Sequence, residues 1–138
     1  MWRLMITLLV FLLAPVSLIG QESVDKKEAV AAAEEWLTMV DAGAYDASWD
    51  SAAAYFKEAV TPENWAASLK AFREPLGTLI SRRVKVSEHR TSLPGAPDGE
   101  YVVIQFVTSF ENKESTVETV TPMKDPDGQW RVSGYFIR

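Results

Sequence analysis

The chain of 138 residues contains no cysteine, which rules out disulfides, a thiol nucleophile and thiolate metal ligands together. Histidine occurs once, as His89, so no site built on several imidazoles exists. Positive charge is scarce: 14 basic residues stand against 19 acidic ones, a net charge of −5. Such a balance repels phosphate backbones, and nucleic-acid binding is not expected. No glycine-rich loop suited to cradling a phosphate occurs, and no Ca²⁺ loop of alternating acids. Ser133-Gly134 lies inside a strand pattern, without the sharp strand-to-helix turn of a nucleophilic serine. Long apolar runs are also missing. The longest, Leu4 to Ile19, falls short of the ~20 residues a membrane span needs.

That short run has a different reading. Arg3 precedes it and small residues lie near its end, the pattern of a secretory signal peptide. Cleavage is expected between Gly20 and Gln21, with the bond after Ser17 as second choice and an uncleaved N-terminal anchor as the alternative. No cysteine follows the run, so a lipoprotein anchor is excluded. The chain then divides into a signal segment, residues 1–20, and one domain, residues 21–138, placed in the periplasm or secreted, with no membrane span once cleaved. Without disulfides this domain must rely on its core, for which Trp36, Trp49, Trp65 and Trp130 supply large apolar groups.

Val30, Ala33, Leu37 and Val40 recur at helical spacing, with Trp36 and Met39 widening the stripe and Glu34 and Glu35 opposite. Ser23 or Asp25 is placed to cap this helix, and Gly43 to end it. Asp46 is placed to cap a second helix with Trp49, Ala52, Ala53 and Phe56 on its apolar side. Thr61-Pro62-Glu63 combines a capping hydroxyl, a first-turn proline and an acid, and starts a third helix that buries Trp65, Leu69 and Phe72. Pro75 and Gly77 stop it. From there the period falls to two. Strands are expected at Leu79–Arg90, Tyr101–Phe110, Ser115–Met123 and Trp130–Ile137. The proline- and glycine-rich Leu93–Gly99 forms a loop, and Asp125-Pro126-Asp127-Gly128 a tight turn. Helices followed by strands mean an α+β fold: three N-terminal helices packed on a curved four-stranded antiparallel sheet.

Two sets of residues carry a resemblance. Trp36 to Lys57, with its Asp-Ala-Gly turn at Asp41–Gly43 and an aromatic-bearing second helix, resembles the opening of NTF2-like (cystatin-like) domains. These are cone-shaped α+β folds. More narrowly, most of the chain after the signal resembles the bacterial family known as domain of unknown function 4019. The matching pieces are Trp36-Leu37, DAGAYDASWD at Asp41–Asp50, AAAYFK from Ala52, REPLG at Arg73–Gly77 and Ser81-Arg82. LPGAPDGEYVVIQF at Leu93–Phe106, VETVTPM at Val117–Met123 and DGQWRVSGYFI at Asp127–Ile137 complete them. The resemblance implies an exported domain with an NTF2-like cone. It implies no activity.

In NTF2-like relatives the hollow of the sheet binds a small molecule or performs acid–base chemistry. His89 stands between Glu88 and Arg90 and reads as a solvated strand end. Glu118, beside Thr119 on a half-exposed strand, reads as a surface carboxylate. Asp125/Asp127 and Asp46/Asp50 are explained as turn and cap residues, so neither a metal nor a cofactor is expected. Arg83 and Lys85 share a strand face with Arg82 opposite, and with Arg90 they form a basic patch suited to guarding a sheet edge. If a pocket exists, Tyr101, Trp130 and Tyr135 are its expected ligand-binding residues, because each joins an apolar ring to a polar tip. The resulting expectation is a non-enzymatic exported module that binds a partner protein or small ligand through the sheet's concave or exposed face. A homodimer through the sheet is a further form of partner. The alternative is a small isomerase- or hydrolase-type enzyme using His89 or a buried carboxylate in the hollow.

Overall fold

The computed structural model describes residues 18–138; residues 1–17, most of the expected signal segment, lie outside the described residues. Helix α1 (Leu18–Asp41) buries Ala29, Ala33, Trp36, Leu37 and Val40 on the face that the apolar spacing marks out. It starts earlier than expected. Ser23 and Asp25 lie inside it rather than at its cap, and Asp25 is turned inward and buried. Gly43, at a φ of 74°, ends the helix: its N–H donates to Val40 O and that of Ala44 to Met39 O. This pair of bonds closes the last turn in the way a left-handed glycine allows.

The second helical stretch is broken in two, α2 (Tyr45–Asp50) and α3 (Ala54–Ala59). The break frees the Ala53 N–H to donate to Val132 O at 2.8 Å, which ties the stretch to the last strand. Ala52 and Ala53 are buried there, and their small side chains allow the backbone to approach the sheet closely. Asp46 does not cap α2: Ala44 takes the cap position and Asp46 sits in the first turn. Helix α4 (Pro62–Phe72) starts as expected, the Asn64 N–H donating to Thr61 Oγ1 at 3.2 Å. A short 3-10 turn (Glu74–Leu76) and Gly77 lead into the sheet. None of the helices among the described residues is long and apolar enough to cross a membrane.

Strands β1 (Leu79–Arg90), β2 (Tyr101–Phe110), β3 (Lys113–Lys124) and β4 (Trp130–Ile137) form one antiparallel sheet in sequence order. The helices pack on one face, so this is an α+β fold. Val102, Ile104, Phe106, Val120 and Val132 line that inner face. Val84 pairs with Phe106 and Val86 with Gln105, with a register shift between them. The two valines therefore lie on opposite faces, not on one side as simple alternation requires; the bulge inserts a residue and resets the parity. At the far end, Gly128 (φ 82°) closes the turn by donating to Asp125 O.

The core is aromatic. Trp36 and Trp65 rings lie 6.0 Å apart, Phe56 meets Trp65 edge-on at 5.0 Å, and Tyr135 meets Trp36 edge-on at 5.3 Å. One small residue joins both indoles to α2. The Trp36 Nε1–H donates to Ser48 O at 2.8 Å, the Trp65 Nε1–H donates to Ser48 Oγ at 3.0 Å, and the hydroxyl donates to Tyr45 O. Ser48 has no exposed surface. Ser48→Ala removes the hydroxyl and leaves the Trp65 indole without an acceptor, so it is expected to lower stability by about 1–3 kcal/mol in urea denaturation. Thr61→Ala, at an exposed cap, is expected to cost about 1 kcal/mol in the same measurement.

Candidate functional site

Inside the sheet, where a cone would hold its ligand, charged side chains from several elements meet. Glu118 comes from β3 at a position opposite Phe106, on the inward face, and has no exposed surface. The surface carboxylate expected from sequence is therefore an interior one. The signal was its parity: Glu118 stands two residues from Val120 on the same face. Arg82, inward on β1 opposite Thr108, donates through Nε to Glu118 Oε1 at 2.7 Å and through Nη2 to Oε2 at 3.2 Å. Thr108 donates to Oε1 and Tyr135 to Oε2 of the same carboxylate. The other edge of the Arg82 guanidinium donates to Asp41, at the end of α1, at 2.7 and 3.0 Å. Arg73, in the cap position after α4, donates to Asp41 at 3.2 Å and to Gly77 O at 2.7 Å, and its guanidinium covers the Phe110 ring at 4.3 Å.

Two carboxylates and two guanidiniums thus cancel in charge within one buried chain. Burial opposes the charge on Arg82, but hydrogen bonds from it to Asp41 and Glu118 outweigh that and raise its pKa above the usual value. Burial, with the Glu118 charge and hydrogen bond beside it, raises the Tyr135 hydroxyl well above the ordinary tyrosine range. Both oxygens of Glu118 are engaged. Trp36, Trp65, Phe72 and Tyr135 pack on one another on the helix-covered side of the sheet. Asp41 brings the chain to the surface, in a cleft bordered by Gly43, Tyr45, Lys70 and Glu74.

The three expected ligand residues do not converge. Tyr135 borders the hollow with its hydroxyl on Glu118. Tyr101 is buried on the other face of the sheet, where its hydroxyl donates to Pro97 O. Trp130 sits at the start of β4 beside a groove of about 260 Å³ shared with Ala32, Trp36 and Met39, and its buried Nε1–H has no partner among the described residues. On the outer face a second groove of about 220 Å³ lies between the Leu93–Ala96 loop and β4, lined by Tyr55, Leu93, Pro94, Tyr101, Tyr135 and Phe136. Phe136 is 52 % exposed there. Nor does the basic patch stay together: Arg83, Lys85 and Arg90 are exposed, whereas Arg82 turns inward. His89, expected as a solvated strand end, is only 12 % exposed in its side chain and faces Glu22 and Glu100.

Removing one member of a buried ion pair strands the other. Glu118→Gln or Arg82→Gln is expected to cost about 3–5 kcal/mol in urea denaturation. The double variant is expected to lose less than the two single losses added, by about 0.5–3 kcal/mol, because the residues act on each other. Tyr135 sets an alkaline limit. Its folded pKa lies above that of an unfolded tyrosine, about 10, so its contribution is complete below that pH and is lost as pH climbs towards the folded value. A titration followed by phenolate absorbance should show a late step that coincides with unfolding and loses one tyrosine in Tyr135→Phe.

A family model described as Protein of unknown function (DUF4019) matches residues 32–135, which includes every member of the buried chain. No curated protein and no solved structure matches the sequence. With more than half its length matched, from the first helix to the last strand, the chain belongs to the family Protein of unknown function (DUF4019).

Proposed function

We propose that this is an exported, non-enzymatic binding module with an NTF2-like cone, and that it meets a partner protein through the outer face of its sheet around Phe136. The observation that carries the reading is the contrast between a fully engaged Glu118 and an apolar side chain left in contact with solvent. In the hollow, Glu118 accepts from Arg82, Thr108 and Tyr135, and an acid–base role would require it to give up those partners. On the outer face, by contrast, Phe136 remains half exposed beside an apolar groove. At about 220 Å³ that groove is smaller than the ~300 Å³ at which small-molecule sites begin, and it suits a single protruding side chain. Burying a Phe-sized group in it would contribute ~1.5–3 kcal/mol, the scale of an interface anchor. Arg3 and the apolar run after it support export.

Two measurements test this. Mass spectrometry of protein recovered from fractionated cells producing the full chain should give the mass of residues 21–138 outside the cytosol; an intact chain in the cytosolic fraction would overturn export. Benzoylphenylalanine placed at position 136 in those cells should give a discrete photo-adduct, which Ala96→Trp abolishes by filling the groove. An adduct of twice the chain's mass identifies a second copy bound through the sheet, and any other discrete mass a different protein. No adduct at 136, or one indifferent to Ala96→Trp, would overturn the outer-face reading.

A further inference from the structure

The fold brings together three metal-ligating residues that are far apart in sequence: Asp25 on α1, His89 near the end of β1, and Glu100 just before β2. One ligand atom from each lies within 4.8 Å of the others. Glu22 stands on the opposite side of the imidazole. The His89 Nδ1 is 3.9 Å from Glu22 Oε1, and its Nε2 is 4.0 Å from Glu100 Oε1. Both separations are longer than hydrogen bonds, and their order matches that of metal-bound histidines, with one ring nitrogen towards the ion and the other towards a carboxylate. The Nε2 is fully enclosed and has no hydrogen-bond partner among the described residues. The Glu100 carboxylate lies 4.0 Å from it.

Charge points the same way. Glu22, Asp25 and Glu100 contribute three negative charges, and among the described residues the lysine paired with them is Lys124, 3.6 Å from Asp25 and 3.7 Å from Glu100. Arg90, next to His89, is paired with Glu88 instead. We propose that Asp25, His89 and Glu100 form a site for a divalent transition ion of the zinc class, with Glu22 orienting the imidazole and Lys124 as the resident counter-charge that the ion displaces. One imidazole with two carboxylates suits zinc better than magnesium or calcium, which take oxygen ligands throughout. The ligand atoms must close slightly, since adjacent ligands of a tetrahedral zinc ion stand ~3.3 Å apart on bonds of ~2.0 Å. Lys124 can leave at low cost. Its side chain is 30 % exposed and its ammonium already lies 5.9 Å from the Trp130 ring, to which it can swing. A chain cleaved after Gly20 keeps all five residues.

Isothermal titration of zinc chloride into protein purified from expression of the full chain, treated first with a chelator, tests the site. One equivalent should bind. His89→Gln should weaken it at least about ten-fold, Glu22→Gln by about ten-fold or somewhat more, the range typical of an orienting partner. Lys124→Met removes the competing cation and should tighten binding, whereas Lys113→Met, the same change of charge at the opposite end of β3, should leave it unchanged. If His89→Gln fails to fold by circular dichroism, Lys124→Met decides alone. No saturable binding, an affinity indifferent to His89→Gln, or one that Lys124→Met leaves unchanged would overturn the proposal.

Discussion

A carboxylate with no exposed surface costs several kcal/mol unless positive charge and hydrogen bonds answer it where it lies. Glu118 is such a group, and Arg82 answers it. Because a guanidinium is planar and donates in fixed directions, the edge of Arg82 that faces Glu118 determines where its other edge points, and Asp41 stands there. One side chain thus fixes β1, β3 and the end of α1 relative to one another. Thr108 and Tyr135 add β2 and β4 to the same carboxylate, and Arg73 adds the end of α4. A slip of β3 by one residue would turn Glu118 to the outside and leave Arg82 with half its partners, as well as reversing the apolar face. Register in this sheet is therefore enforced by charge and by apolar burial together. The loss of one without the other is not available to it.

Which features were legible in the sequence follows from how local their causes are. Gly43, Thr61-Pro62 and Asp125–Gly128 act within a few residues: a positive φ, a cap, a preset proline angle. Each was readable, and so were the ends of β1, β2 and β4. The break at Ser51–Ala53 was not, because its cause is the Val132 carbonyl some eighty residues away. The start of α1 was missed for the same reason: Asp25 looks like a cap until Lys124 is beside it. Glu118 and Arg82 were half legible. Their strand parity matched buried neighbours, but a lone charge on a strand reads as solvent-facing until its counter-charge is known, and the counter-charges lie 36 and 41 residues apart along the chain. The Asp25–His89–Glu100 cluster draws on three separated segments and has no spacing to read.

The two edges of the sheet are treated differently. β1 carries Arg83, Lys85 and Arg90 exposed and is interrupted by register shifts at Leu79/Ser81 and Val84/Val86, both devices that discourage a second strand from pairing. Along β4 the one cation, Arg131, is spent on Asp125 and Asp127 in the adjoining turn, where the Arg131 hydrogen bond and the Gln129 N–H hold the Asp127 carboxyl down at about 2. Beyond Arg131 the strand runs Val-Ser-Gly-Tyr-Phe-Ile with no charge. β1 also leaves Ile80, Val84 and Val86 exposed, so the two edges differ in charge: cations stand among the apolar groups of β1, whereas β4 presents a half-exposed Phe136 on an uncharged run.

The Thr91–Glu100 loop connects that surface to the acidic cluster. Its middle, Leu93 to Ala96, forms one wall of the outer groove, where Tyr55 donates to Gly95 O and Tyr101 to Pro97 O. Its ends are His89 and Arg90 on one side and Glu100 on the other, and the Glu100 carbonyl accepts from the Lys124 N–H at 2.9 Å. A loop rich in proline and glycine has few internal bonds to hold it, so its conformation depends on how its ends are fixed. An ion joining His89 to Glu100 would fix both ends to α1 through Asp25. The groove wall would then be most rigid when the ion is bound. Ordering a contact surface before binding lowers the entropy cost of association, so an ion at the loop's base would favour binding at the groove at its tip.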